Sequence, residues 1–236
     1  MKLTDFDYDL PEALIAQHPL KERDQARLLI YEQGRIEHGL FRDIVGRLRP
    51  EDVLVLNDSK VLPSRVFGFK SDTKARIEIL LLRRLDELRW ECLFRPLKKI
   101  KFDTRIVITP DLYAMIEETK SFKSPNIVKF SFPVDNETLG RIAVTPLPPY
   151  IKRDYRRYES AEREEDSEYY QTVYAREYGS VASPTAGLHF TQALIDAIRA
   201  KGVTIARVSL DVSYGTFRPV KTEEIEEQRC TRSRSG

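Results

Sequence analysis

The spacing of apolar and polar positions changes period several times along the chain, and each change predicts an element. Arg27-Leu28-Leu29-Ile30-Tyr31 predicts a strand, Gln33-Gly34-Arg35 its turn, and Ile36-Glu37-His38 the strand that returns. From Leu40 to Leu48 the apolar residues fall at 40, 41, 44, 45 and 48, a helical spacing that Pro50 ends. An earlier helix is predicted over Tyr8 to Ile15, with Asp9 as cap and Pro11 in its first turn. Val53-Leu54-Val55-Leu56 is a continuous apolar run, expected to be a buried strand, and it stops abruptly at Asn57-Asp58-Ser59-Lys60.

From Ser64 to about Pro146 the texture changes, and alternation is visible in Ala75-Arg76-Ile77-Glu78-Ile79. Short β-type runs recur at 65–69, 75–83, 90–95, 105–109, 127–132 and 141–145, with turn residues between them. Such a series inside a longer chain predicts an inserted barrel or sandwich. Pro146-Leu147-Pro148-Pro149-Tyr150 is a stiff segment suited to a domain boundary. Beyond it, residues 154–166 are expected to be an exposed loop and 168–178 a helix. Residues 179–190 form a loop of small residues. A helix over Thr191 to Ala200 follows, capped by Thr191, striped by Leu194, Ile195 and Ile198, and ended by Gly202. Val203 to Val212 predicts a strand, and 214–220 a second glycine-containing loop.

Composition adds mainly exclusions. The formal net charge of +2 is too small to predict nucleic-acid binding by itself, although a local basic face would suffice. The two cysteines, Cys92 and Cys230, have neither disulfide-framework nor zinc spacing, and no histidine pair or carboxylate cluster has metal-ligand spacing. With no secretory start and no apolar run long enough for a membrane span, a soluble cytoplasmic protein is expected.

Three polar loops carry candidate chemistry. In the first, directly after the apolar run, Asp58 suits a ribose hydroxyl or acid–base work, while Lys60 and Arg65 suit a carboxylate or phosphate. A capped turn with surface charges explains the same residues. The second, Ser183-Pro184-Thr185-Ala186-Gly187-Leu188-His189-Phe190, feeds a helix N-terminus. Thr185 and Gly187 lie where free backbone N–H groups meet a polar ligand, and His189 is either a proton carrier or a core histidine. In the third, Asp211 to Val220, Tyr214 or Phe217 suits base stacking and Arg218 a phosphate, with ordinary turn packing as the alternative. Basic residues interleave with aromatics twice, once with Lys98, Lys99 and Lys101 in a set around Trp90 and Phe94, and once with Arg153 and Arg156 among Tyr150, Tyr155 and Tyr158. Such patches suit RNA, and a solvated face accounts for them equally.

These loops also carry a family resemblance. Residues 6–29 (FDYDLPEALIAQHPLKERDQARLL), 55–65 (VLNDSKVLPSR), 170–175 running into 183–191 (SPTAGLHFT), and 215–220 (GTFRPV) are similar to the S-adenosylmethionine:tRNA ribosyltransferase-isomerase family of queuosine biosynthesis. The resemblance runs to about Glu227. It implies an α+β fold, a discontinuous α/β domain with an inserted all-β barrel-like domain. The segments are 1–64, 65–147 for the barrel, 148–227, and a tail 228–236. It further implies transfer and isomerisation of the ribosyl group of S-adenosylmethionine, consumed as a substrate rather than held as a cofactor. The acceptor is 7-aminomethyl-7-deazaguanine at a tRNA wobble position; adenine and methionine leave, and epoxyqueuosine tRNA forms. The implied partner is a tRNA anticodon stem-loop, the implied state a monomer. His189 and Asp58 are then the first acid–base candidates, Lys60 or Arg65 a seat for the methionine carboxylate, Tyr214 or Phe217 a stacking platform, and Arg218 with the basic barrel face a grip on RNA.

Departures from the family pattern are specific. Asp58-Ser59 stands where Asn-Thr is usual, and Asp211 where the family strand carries a histidine, which makes Asp211 a third catalytic candidate. Family members continue through a glycine- and threonine-rich loop and closing helices, so a chain ending at residue 236 is expected to expose core and strand edges. After Glu227 the family reads as H-x-MHSE. Residues Gln228 to Ser233, written as CAA CGA TGC ACT CGG AGC, contain Thr-Met-His-Ser-Glu in another frame. A frameshift before residue 229, and a non-native tail, are therefore expected. A tRNA-binding protein without turnover is the alternative function.

Overall fold

The computed structural model describes residues 1–96, 98, 100–118, 125–213 and 215. The chain divides into two compact units: Met1–Val61 together with the chain from Leu147 onward, and Leu62–Pro146. In the first unit, β1 (Arg27–Glu32) and β2 (Arg35–Leu40) form an antiparallel hairpin. Its turn puts Gln33 at φ 49° and Gly34 at φ 82°, the paired left-handed conformations that a two-residue turn matching strand twist requires. The helix expected over 40–48 is only a 3-10 turn, Phe41–Asp43, and one α-turn, α1 (Ile44–Arg47). The Asp43 carboxylate caps the Leu40 N–H at 2.8 Å, Gly46 weakens the helix interior, and Leu48 is already extended. The helix expected at 8–15 is also reduced to a 3-10 turn, Glu12–Leu14. Leu10 and Leu14 are exposed there, so no buried stripe sustains a longer helix.

Two short strands follow, β3 (Val53–Asn57) and β4 (Ser59–Val61). The expectation of a fully buried β3 is corrected. Leu56 is buried, but Val53 and Val55 are 59% and 56% exposed, because only one face of the strand is covered.

The second unit contains β5 (Arg65–Lys70), β6 (Arg76–Arg84), β7 (Arg89–Arg95), β8 (Arg105–Val107), β9 (Tyr113–Glu118) and β10 (Asn126–Phe130). They pair antiparallel in the order β5-β6-β7-β10-β9-β8, and β8 returns to β5, closing a six-stranded barrel. Closure needs Gly68, where a Cβ would overlap Ile106 and the Val107 carbonyl. Alternation supplies the core: Val66, Ile77, Ile79, Cys92, Ile106, Ala114, Val128 and Phe130 point inward. Strand β9 was not expected, because Tyr-Ala-Met-Ile-Glu-Glu contains good helix formers; pairing with β8 and β10 overrides that preference. The barrel is followed by α2 (Asn136–Ile142), whose cap Asp135 accepts from Thr138 N–H at 2.8 Å. The strand expected at 141–145 is cut to β11 (Ala143–Val144), which pairs with β5.

Back in the first unit, α3 (Ser160–Tyr169) occupies much of the stretch expected to be a loop, and no helix occupies 170–178. Tertiary polar contacts place it. Asp166 on α3 takes two hydrogen bonds from Arg153, at 2.7 and 2.9 Å, and a third from the Tyr158 hydroxyl at 2.5 Å. Residues 177–180 instead form β12 (Glu177–Ser180), parallel to β4. Beside it the Gln171 side chain donates to Val61 O at 2.7 Å and accepts from Val61 N–H at 3.0 Å, acting as a further strand partner. Thr191 caps α4 (Gln192–Ala200) through Leu194 N–H at 3.2 Å, and Leu194, Ile195 and Ile198 are buried, as the stripe predicts. Gly202, at φ 93°, turns the chain into β13 (Thr204–Val208), parallel to β3. This strand stops four residues before the expected Val212.

Candidate functional site in the discontinuous unit

Parallel pairing of β13 with β3 and of β12 with β4 brings three polar segments together at residues 57–60, 177–183 and 208–213. The ends of parallel strands are natural ligand positions, because side chains there are held by the sheet while the backbone turns away. Asn57 joins two of the segments. Its side chain donates to Leu210 O at 2.9 Å and accepts from Leu210 N–H at 3.1 Å, and Ser59 Oγ donates to the same carbonyl at 3.0 Å.

Asp58 is buried at this junction. Its carboxylate accepts from Ser209 Oγ at 2.7 Å, with Arg207 and Arg176 guanidinium nitrogens at 3.8 and 4.0 Å. Its backbone is fixed as well, donating to Val208 O and accepting from Arg176 N–H. A buried carboxylate beside two cations is both neutralised and oriented. The capped-turn alternative is thus a partial description: Asp58 is structural in its partners, and it also carries a fixed charge at a loop junction.

Ser180 stitches the third segment in place, donating to Ala182 O at 2.8 Å and accepting from Val212 N–H at 2.7 Å. This leaves the Asp211 carboxylate packed on Gly179, where a Cβ would overlap it. Lys60 Nζ sits 4.5 Å from the centroid of the Tyr178 ring, so its ammonium is held over an aromatic face.

His189 occupies a different neighbourhood, in a 3-10 turn, Thr185–His189, with its ring 5.3 Å from that of Phe41. Burial, and then the nearby Arg23 charge, holds its pKa below the ordinary histidine value. Arg23 is the residue that sequence reasoning missed here. Its guanidinium donates to the carbonyls of Gln171 (2.6 Å), Glu168 (2.7 Å) and Leu188 (3.3 Å), and lies over the Tyr169 ring. Arg207, Arg176 and Ser209 were missed in the same way. Nothing in their spacing separates them from the surface charges of any strand or loop.

Other predicted residues distribute as follows. Thr185 is exposed, and Gly187 is buried against the Tyr174 hydroxyl with no room for a Cβ. Arg65 lies in the barrel unit and pairs with Glu78 at 3.1 Å. Lys98, Lys101 and Arg156 are exposed. The Arg153 side chain is 4% exposed, and its guanidinium is engaged by Asp166 rather than presented to solvent. The expected interleaving of Trp90 and Phe94 with basic residues is a consequence of strand alternation, since both rings point into the barrel core. Lys99, Tyr214, Phe217, Arg218 and the tail 228–236 lie outside the described residues. Among the described residues, no His, Cys, Asp and Glu group is placed to hold a metal ion, and no helix is long and apolar enough to cross a membrane.

The family described as queuosine biosynthesis protein matches residues 3–234. The S-adenosylmethionine:tRNA ribosyltransferase-isomerase of Pelotomaculum thermopropionicum is 48% identical over 232 residues, covering 97% of this chain and 65% of that protein. Those of Staphylococcus haemolyticus (46% over 230 residues, covering 95% and 64%) and Thermotoga maritima (48% over 231 residues, covering 97% and 65%) are alike in extent. The chain therefore spans a little under two thirds of the length of these relatives. The crystal structure of an S-adenosylmethionine tRNA ribosyltransferase from Thermotoga maritima aligns at 36% identity and a TM-score of 0.34, covering 88% of this chain and 58% of the other.

Proposed function

The chain belongs to the queuosine biosynthesis protein family, and from that premise we propose that it transfers and isomerises the ribosyl group of S-adenosylmethionine onto 7-aminomethyl-7-deazaguanine at a tRNA wobble position. The observation that carries the reading is the junction around Asp58. The residues that resemble the family at 57–61 and 183–191 lie in and beside the parallel strands and ahead of α4.

The reaction needs a proton donor or acceptor near the adenine and ribose, a seat for the methionine carboxylate, and a stacking surface for a base. Asp58, fixed by Ser209 and flanked by Arg207 and Arg176, is assigned to the ribose hydroxyls. His189 is assigned the proton transfer, since an imidazole with a lowered pKa is neutral near pH 7 and able to accept. Lys60 is assigned to the carboxylate, and Thr185 and Gly187 line the small-residue turn; Arg65 is withdrawn from that seat, because it pairs with Glu78 in the barrel unit. Tyr214 and Phe217 are assigned to stacking, Asp211 to the position of the family histidine, and Lys98, Lys99, Lys101, Arg156 and Arg218 to the tRNA backbone. Arg153 is withdrawn from that set, because its charge is neutralised by buried Asp166. The protein acts as a monomer on an anticodon stem-loop.

A second reading, tRNA binding without turnover, is favoured by Asp211, since a carboxylate packed on Gly179 does not replace an imidazole. The test compares His189→Ala and Asp58→Ala with the parent in adenine release, with circular dichroism as a fold control. The proposed roles require at least a roughly hundredfold loss of turnover for His189→Ala with the fold retained. Parent-like turnover in that variant would remove His189 from the mechanism.

A further inference from the structure

One surface of the barrel combines aromatic rings and cations of which only Lys101 has a role assigned so far. Cross-strand pairing aligns Arg76, Phe69, Val107 and Tyr113 in one row over β6, β5, β8 and β9. Their neighbours Ile77, Ile106 and Ala114 are buried in the core, so alternation turns this row outward. Phe69 is 50% exposed. The Arg105 guanidinium lies 3.8 Å from the centroid of the Tyr113 ring, and that of Arg76 4.3 Å from that of Phe67.

The row continues into an ordered turn. Lys101 O accepts from Thr104 N–H at 3.2 Å, Lys101 N–H donates to Thr104 Oγ1 at 3.1 Å, and Asp103 N–H donates to Ile116 O at 3.0 Å. These bonds display Phe102 at the tip, 67% exposed. Ser71 N–H donates to Arg105 O at 3.0 Å, which ties the β5–β6 turn to the same place. Residues 69–76 and 101–105 hold five cations, Lys70, Lys74, Arg76, Lys101 and Arg105, against two acids, Asp72 and Asp103.

A rigid turn that holds a phenylalanine in water gains nothing for folding, and a lone exposed ring would need no explanation. Here two exposed rings and a guanidinium-capped tyrosine occur within one net positive surface. Negative backbones with unstacked bases are the chemistry that fits both features, whereas a duplex would use only the charge. We infer that this face, with Phe69, Phe102 and Tyr113 as stacking platforms and Lys101 and Arg105 as phosphate contacts, binds the unpaired nucleotides of an RNA loop. The inference rests on the proposed RNA partner and is independent of turnover.

The test measures fluorescence anisotropy of the full 236-residue chain with an anticodon stem-loop RNA and with a blunt RNA duplex of equal length, over a range of salt. Phe69→Ser and Phe102→Ser each weaken stem-loop binding by roughly five- to tenfold and leave duplex binding unchanged. Arg105→Gln lowers the salt slope by about one. Trp90 fluorescence confirms that each variant keeps its barrel. Stem-loop affinity that ignores all three variants, or a parent chain that binds no RNA, overturns the inference. Turnover retained alongside such indifference overturns this surface and leaves the proposed reaction standing. Stem-loop binding through these residues without turnover supports the surface and sinks the reaction.

Discussion

The two units solve the problem of burial differently. The barrel unit closes its sheet on itself, so each inward position of β5 to β10 finds a partner and several core side chains are wholly inaccessible. The discontinuous unit is built from two-stranded pieces, two of them parallel, and parallel strands ordinarily lie covered on both faces. Among the described residues Val53 and Val55 on one face of β3, and Leu210 in the segment after β13, are all more than half exposed. What holds this unit's loops is instead a set of polar bonds, with Asn57, Asp58, Ser180, Gln171 and Arg23 each joining distant segments. Apolar burial is thus most complete in the barrel, whereas the family-like segments are joined by hydrogen bonds around Asp58 and packed on Phe41 and Phe190 around His189.

The contrast can be broken at its strongest point first. Phe130→Ala, in the closed core, is expected to cost about 4 kcal/mol, read as a shifted denaturant midpoint in the fluorescence of Trp90, the only tryptophan and itself in the barrel. In the discontinuous unit the largest effect is expected from a polar residue. Arg153→Leu leaves Asp166 buried without its cationic partner and costs roughly 3 kcal/mol, measured by far-ultraviolet circular dichroism. Loss of the α4 cap in Thr191→Ala costs about 1 kcal/mol. Val55→Ala, on the open face, shifts the midpoint by less than about 0.5 kcal/mol. A Val55→Ala loss equal to that of Phe130→Ala would erase the distinction between the units.

A smaller effect follows from His189. Its folded pKa lies below the ordinary value because burial and Arg23 disfavour the charged ring. The unfolded chain therefore binds the proton more readily between the two values, so stability rises with pH across that window and falls as the solution is acidified through it. Nuclear magnetic resonance titration of His189 checks the direction, with a midpoint below that of an exposed histidine. Arg23→Met moves the midpoint back upward by removing the lesser cause.

Legibility followed the same division. Where one residue in two faces a closed core, as in β6, alternation located the strand with Ile77 and Ile79 on its inner face, whereas in β7 the strand was located but Trp90 and Phe94, read as part of a basic patch, are core residues. Strand β9 escaped because its residues prefer helix and only its neighbours impose extension. In the discontinuous unit the α4 stripe and its Thr191 cap were readable, as was the turn at Gln33-Gly34. The helix over 160–169 was not readable, since a charged segment held by one buried ion pair has no hydrophobic period. The candidate site was half legible. Asp58 and His189 stand out by type and place in a loop, whereas Arg207, Arg176, Ser209 and Arg23 act through contacts with residues distant in sequence, which no local pattern records.

Adenine release tests the proposed reaction most directly. The purified chain is incubated with S-adenosylmethionine and a tRNA transcript carrying 7-aminomethyl-7-deazaguanine, and both free adenine and the mass of the modified nucleoside are followed. Adenine is expected one-for-one with a nucleoside of epoxyqueuosine mass. Stem-loop binding with neither adenine nor modified nucleoside would contradict it and leave a tRNA-binding protein without turnover.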